Sequence, residues 1–415
     1  MAKTNNVMIE AHPPVTLTEV KEILRAIWGP NGSNDLVPML HGPPGVGKTS
    51  IVYQVAQELG YEDVVMIRAA EMRPEDITGP PFPYEGGHSQ FHPPLRLLEL
   101  TKEYHEKQKQ IFEEKKKRGE VPADAEYKMP GPKVLFLDEL PNAHPDVQAT
   151  LHSLVLDRKF GVEGYTLLDN VKIIAAGNRR EDGAHVYELT PAMATRMAPH
   201  LVVRPSLEEW IRWARSAGIH PAIIAFLPQR EELLYDYDPK SKALTYPSFR
   251  TWEKASNLCW QIPVTDDKSE ELLRKALAGT IGPGATAEFM NFLKTARKAP
   301  SAEDIAKDPD NTPTFEDDPD IALVCVENMI AAARRKPEWA RAFVRYGKRM
   351  HEQHRELLFP ALLNIDGNMP QATIEAVLTS GEDFQAIAAT SNELRRILKE
   401  GDEAVQAAKR GRGVN

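Results

Sequence analysis

A doubly wound α/β fold is predicted up to Arg204, with helices after it, and three features of the sequence predict it. Short apolar runs alternate with stretches of helical period. Several of those runs are apolar on consecutive residues, as in strands covered on both faces of a parallel sheet. A glycine-rich loop ending in Gly-Lys-Thr stands between the first such run and the helical stretch that follows it.

The first periodic segment is 16–27, where Val20, Ile23, Leu24 and Ile27 share a helical face and Thr16 with Glu19 fits a capping box. Gly29, Pro30, Asn31 and Gly32 then break the chain. Buried strands are expected at 39–41, 64–68, 134–137, 171–176 and 201–203, the first starting beside Pro38, which has no N–H for a ladder. Helices are expected between them, at 50–59 and 145–156 among others. Residues 80–94 carry Gly86-Gly87 between short candidate strands, a hairpin signal. Residues 103–118 mix lysine and glutamate densely and read as a solvated helical insertion.

After Arg204 the pattern is mostly helical. Trp210, Trp213 and Ala214 fall on one face, and Leu258, Leu273, Leu277, Phe289 and Phe292 lie in further helical segments. Four prolines and five aspartates in 299–319 read as a linker, followed by a helical region over about 320–399 and a small basic tail at 409–412, expected to be disordered. The expected organisation is a nucleotide-binding α/β domain over 1–204, a helical lid over 205–298, and a linker with a helical C-terminal extension over 299–415.

Size and composition set the class. The chain has 415 residues, 42% apolar and 27% charged, enough for more than one core. No apolar run approaches the ~18 residues that span a bilayer, and the N-terminus lacks the plan of a signal peptide. Cys259 and Cys325 are far apart in sequence and read as buried thiols of a reducing compartment, so a cytoplasmic protein is expected. A net charge of −9 argues against a generally basic nucleic-acid binder.

The loop Gly42-Pro43-Pro44-Gly45-Val46-Gly47-Lys48-Thr49 fits G-x-x-x-x-G-K-[ST] in full, in the strand-loop-helix context that the chemistry requires. Glycines let the backbone turn its N–H groups inward onto phosphate oxygens. The helix that follows, expected from Ser50, adds the partial positive charge of its N-terminus. Lys48 places an ammonium at the β- and γ-phosphates, and the Thr49 hydroxyl ligates Mg2+.

The apolar strand at 134–137 ends in Asp138 and Glu139. In this context Asp138 would hold Mg2+, directly or through water, and Glu139 would orient and polarise an attacking water. Another strand, 171–176, ends in Gly177-Asn178-Arg179-Arg180, where Asn178 can contact the γ-phosphate or that water. ATP with Mg2+ is therefore the expected ligand pair.

These residues resemble the AAA+ superfamily and, within it, the MoxR-like branch, over residues 15–292. Residues 73–79 and 91–94 look like the two sides of the hairpin inserted in this branch, and 151–166 like the helix and second hairpin before the sensor strand. Residues 175–179 resemble the first sensor. Residues 189–196 resemble the helix that delivers an arginine, here Arg196, to the neighbouring subunit's nucleotide. Residues 246–252 resemble the second sensor, with Arg250 on a lid helix. Met197 stands where the branch usually has an aromatic, and Phe249 where a proline is common. The resemblance implies a homo-oligomeric ring, commonly a hexamer, with ATP at the subunit interfaces. It also implies chaperone-like remodelling of a protein client, often with a partner carrying a von Willebrand factor A-type domain.

An arginine suits such a site because its fixed donors match phosphate geometry. Arg179 and Arg180 rival Arg196 because they follow Asn178 directly. A ring-shaped nucleic-acid motor is the alternative reading, disfavoured by the acidic charge and by a hairpin with only Phe82, Tyr84 and Phe91 to stack on bases. His351-Glu-Gln-His354 is not the H-E-x-x-H of zinc proteases, and Arg334-Arg335-Lys336 before Trp339 reads as a solvated helix end.

Overall fold

The computed structural model describes residues 13–84, 88–179, 182, 187, 189–363, 369–381 and 383. The Gly86-Gly87 turn, Arg180 and the basic tail lie outside them. The chain divides into two compact units, residues 1–205 with 238–241, and residues 206–237 with 242–415.

The first unit runs β1 (Pro14–Val15), α1 (Leu17–Trp28), β2 (Met39–His41), α2 (Lys48–Glu58), β3 (Asp63–Arg68), α3 (Glu75–Thr78), β4 (Pro81–Tyr84), β5 (His88–Phe91), α4 (Leu95–Leu98) and α5 (Lys102–Lys117). It continues with β6 (Lys133–Asp138), α6 (Pro145–Asp157), β7 (Lys159–Phe160), β8 (Tyr165–Thr166), β9 (Val171–Gly177), α7 (Pro191–Arg196) and β10 (His200–Val203). Six strands form one parallel sheet in the order β1-β10-β2-β9-β6-β3. Every residue of β9 is buried, as are the four central residues of β6, which explains their unbroken apolar runs. The short β1 was not anticipated, because Pro14 hides a strand signal; it pairs only at the sheet edge, beside β10.

The order matters for function. β9 lies between β2 and β6, so the three loops leaving their carboxyl ends are neighbours. The capping box of α1 is formed as expected, with the Thr16 hydroxyl accepting from Glu19 N and the Glu19 carboxylate accepting from Thr16 N.

The charged insertion is more firmly held than a solvated helix needs to be. In α5, His105 is buried between the Tyr127 hydroxyl at 2.7 Å and the Glu99 carbonyl at 3.0 Å. The Glu103 carboxylate accepts from Thr166 N at 2.8 Å, which ties α5 to the β7–β8 hairpin. Lysine and glutamate dominate the composition, but one histidine at the right place anchors the helix.

The second unit is helical: α8 (Leu207–Ala217), α9 (Pro221–Phe226), α10 (Phe249–Gln261), α11 (Asp267–Ile281), α12 (Pro283–Ala296), α13 (Ala302–Lys307), α14 (Pro319–Arg335), α15 (Ala340–Lys348), α16 (Glu352–Leu362) and α17 (Gln371–Leu378). Helix α14 packs on α9, α12 and α16. Arg215 of α8 and Glu327 of α14 form a buried ion pair with contacts of 3.1 and 2.7 Å. Trp210 and Ala214 are buried as the helical face requires, whereas Trp213 is exposed.

One expectation in this unit is corrected and another refined. The Pro- and Asp-rich stretch 299–319 holds α13, whose Ile305 is fully buried, and it is fastened by bonds from the Tyr346 hydroxyl to the Pro313 carbonyl and from the Arg349 guanidinium to the carbonyls of Pro309 and Thr312. The Arg334–Lys336 cluster closes α14 with Arg335 and Lys336 exposed as expected, but Arg334 is partly buried and donates to the Arg215 carbonyl near the end of α8; Arg335 lies 5.6 Å from the Trp260 ring centroid, and Lys336 3.8 Å from that of Trp339. His351 caps α16 and His354 is buried within it.

His220 caps α9 through its Nδ1, and its ring lies 4.6 Å from that of Trp260. Burial pushes its pKa from 6.5 down to about 4. The folded chain therefore binds fewer protons than the unfolded chain in that window, so this contribution to stability is complete above pH 6.5 and lost as pH falls towards 4. Urea unfolding should show the loss, and His220→Asn, which keeps a capping side chain, should flatten it. The same slope in the variant would assign the titration to another group.

Candidate nucleotide site

The phosphate loop starts where β2 stops. Gly45 and Gly47 have φ of 80° and 102°, a region that a side chain disfavours, and a Cβ on Gly47 would stand 3.0 Å from Leu17 Cδ1. Gly47 leads directly into α2, whose start has no side-chain cap. A glycine at the N-cap has no side chain to cover the start of the helix, an arrangement that suits an anion. Pro43 and Val46 are buried, Gly42 is buried against the Val203 backbone, and Ser50 is exposed on the first turn.

Lys48 is only 8% exposed. Its ammonium donates to the Gly42 carbonyl at 2.7 Å, the Pro43 carbonyl at 3.0 Å and Asn178 Oδ1 at 3.1 Å. Thr49 Oγ1 lies 3.4 Å from Asp138 Oδ2, and the other oxygen of Asp138 accepts from Glu139 N at 3.0 Å. The fold thus brings Lys48, Thr49, Asp138 and Asn178 together from three strand ends, with Glu139 beside them.

The donor set fits the groups expected here. A hydroxyl and a carboxylate are hard oxygen ligands suited to Mg2+, which commonly takes one or two protein ligands and fills the rest with phosphate oxygens and water. An inward ammonium, glycine-permitted backbone and an uncapped helix start suit a polyphosphate. Among the described residues no cluster of three or more His, Cys, Asp or Glu side chains could hold a metal alone.

Glu139 has φ 54° and ψ 31°, a left-handed conformation that only glycine adopts without strain. Its carbonyl accepts from Asn142 N at 2.9 Å, and the following turn carries Pro141 against Gly177, where a Cβ would come within 2.2 Å of Pro141 Cδ. The acidic pair and the end of β9 are thereby pressed together. Nothing in the sequence signals this strain, since Leu-Asp-Glu-Leu has no turn-forming residue at its third place.

The arginines separate. Arg179 is bound back onto the buried Asp182 through its own N–H at 2.7 Å and its guanidinium at 2.9 and 3.2 Å. Arg196 is exposed at the last turn of α7 and forms no ion pair with another described residue. Buried Met193 and Met197 anchor that helix, so Met197 fills the core at the position next to the arginine. Arg250 is exposed on the first turn of α10 in the second unit, after a capping box formed by Ser248 and Thr251.

Residues 38–197 match the family of AAA domains, dynein-related subfamily. No curated protein matches the chain. Among solved structures, NtrX from Brucella abortus is similar at 15% identity and TM-score 0.34, over 61% of this chain and 52% of that one, about half its length. The RuvB Holliday junction branch migration motor of Thermotoga maritima is similar at 16% identity and TM-score 0.36, over 70% of this chain and 74% of that one. A complex of the Brucella abortus NtrX with ADP is similar at 14% identity and TM-score 0.33, over 68% and 67%.

The left-handed Glu139 should cost stability. Glu139→Asn, which tolerates that conformation better, should raise unfolding free energy in urea without nucleotide by roughly 0.5–1 kcal/mol. A variant less stable than the parent would mean that this backbone is not strained.

Proposed function

We propose, on the premise that residues 38–197 form an AAA+ nucleotide domain, that the chain hydrolyses ATP with Mg2+ in a homo-oligomeric ring and uses the cycle to remodel a protein client, as a member of the MoxR-like branch. The observation that carries the reading is the cluster itself: the Lys48 ammonium on Asn178 and the loop carbonyls, with Thr49 beside Asp138.

Each residue has a role. Lys48 exchanges its carbonyl acceptors for β- and γ-phosphate oxygens, while Thr49 and Asp138 hold the metal. Mg2+, when bound, neutralises charge that develops on the phosphate oxygens. Glu139 sets the line of attack of a water, and Asn178 holds that water or the γ-phosphate. Arg196, unengaged within its own subunit's described residues, reaches the nucleotide of the next subunit, where an arginine finger contributes roughly 10³–10⁵ in rate. Arg250 reports the nucleotide state to the helical lid, 205–298, with 299–415 as its extension.

Movement reaches the client through the hairpins. Phe91 N donates to Glu163 at 3.0 Å, which joins β4–β5 to the loop of β7–β8, and Glu103 ties the latter to α5. Phe82 is half exposed on β4 and offers an apolar contact to a polypeptide. We place the protein in the cytoplasm, where the buried free thiols Cys259 and Cys325 stay reduced, with a hexamer as the ring and a von Willebrand factor A-type protein as the partner.

Lys48→Ala and Arg196→Ala should each lower turnover by at least about 10²-fold. Mixed rings of the two should recover part of it, since the intact site of one subunit meets the intact arginine of the other. Failure to recover in demonstrably mixed rings would remove the trans role. For the client, Glu139→Gln should retain an unfolded polypeptide in ATP and release it in ADP. Retention of DNA instead, with turnover stimulated by DNA and falling steeply with salt, would move the reading to a nucleic-acid motor.

A further inference from the structure

We infer that the hydrogen-bonded pair His41–His200 is a positioning device, joining the mouth of the phosphate loop to the helix that carries Arg196; the inference rests on the ATPase reading above. His41 is the last residue of β2, 4% exposed, and the next residue is Gly42, whose carbonyl receives the Lys48 ammonium. His200 opens β10, the neighbouring strand. The two imidazoles stack with centroids 5.1 Å apart and planes 16° from parallel, and His41 Nε2 lies 2.8 Å from His200 Nδ1. His200 Nε2 lies 2.8 Å from the Ala194 carbonyl.

Acceptor chemistry assigns the protons. A carbonyl only accepts, so His200 Nε2 carries hydrogen; in a neutral ring its Nδ1 then accepts, and His41 Nε2 donates. The chain of donors runs from His41 through His200 to Ala194.

The end of that chain is a place where support is needed. Helix α7 is six residues long, and a helical bond to the Ala194 carbonyl would come from Ala198 N, which donates instead to the Val37 carbonyl at 2.9 Å. His200 supplies the missing donor two residues before Arg196. The direction of the last turn of α7, and with it of the Arg196 side chain, is therefore set by a ring that is itself set by the residue before the phosphate loop. A purely structural pair of histidines would need only mutual satisfaction. This pair instead spans the short path from Gly42, where Lys48 is bound, to the arginine helix.

The test compares His200→Leu with His200→Gln, alone and in an Arg196→Ala background, in assembled full-length protein. Affinity for a fluorescent ATP analogue and steady-state turnover are both measured. His200→Leu should lower kcat by roughly tenfold, within the ~10²-fold that a 1 Å misplacement can cost, and leave nucleotide affinity unchanged. His200→Gln, whose amide N–H reaches the same carbonyl, should restore most of the loss. In the Arg196→Ala background His200→Leu should cause no further loss. Equal losses in both backgrounds, or a fall in affinity parallel to that in kcat, would overturn the proposal. Should His200→Leu fail to fold, His41→Leu tests the relay one step back: it removes the donor to His200 Nδ1, and it too should lower kcat only where Arg196 is present. Arg196→Ala at the parent rate would overturn the relay with the arginine's role, whereas Lys48→Ala at the parent rate would defeat the ATPase reading itself.

Discussion

A lysine that is 8% exposed must find acceptors for its ammonium, because removing the charge from water costs several kcal/mol that only polar partners offset. Lys48 finds them in two loop carbonyls and in Asn178. The carbonyls come from its own loop, but Asn178 comes from the next strand, and it is there because β9 pairs in register with β2, Met39 beside Ala175 and His41 beside Gly177. A slip of that pairing would move Asn178 away from the ammonium. The other side of β9 pairs with β6 and brings Asp138 to Thr49 by the same means. The buried charge and the parallel register thus impose one geometry on three loops distant in sequence.

Much of this was legible in the amino-acid order. The run from Gly42 to Thr49 carries its own geometry, since glycines at 45 and 47 permit positive φ and Lys48 follows at the helix start. The strands at 134–137 and 171–176 were readable because both faces are covered, which leaves no polar alternation to confuse with a helix. The parts that escaped depend on single side chains meeting across long separations. His105 anchors a helix whose composition is that of a solvated one, and Tyr346 and Arg349 fasten a Pro-rich stretch from more than thirty residues away. Arg179 beside Asn178 reads as a rival finger until Asp182 is seen to hold it. None of these contacts leaves a period or a motif in the sequence.

The arrangement of the arginines follows from what each one's neighbours supply. Arg179 has a buried carboxylate three residues away, and a guanidinium held at two points by a carboxylate at 5% exposure has little freedom to serve a second anion. Arg196 has instead a backbone that is held and a side chain that forms no ion pair among the described residues. Met193 and Met197 seat one face of α7, and His200 secures the Ala194 carbonyl. In the proposed ring, a side chain that reaches across an interface would need this division, since a mobile helix would lose the orientation on which rate depends, and an engaged guanidinium would have to break a charge-assisted bond before each turnover. The strained Glu139 belongs to the same logic. Its left-handed backbone follows directly from the end of β6, so the turn places the carboxylate next to Asp138. Glu139 is thus placed by its backbone, whereas Lys48, Thr49, Asp138 and Asn178 are gathered through their side chains.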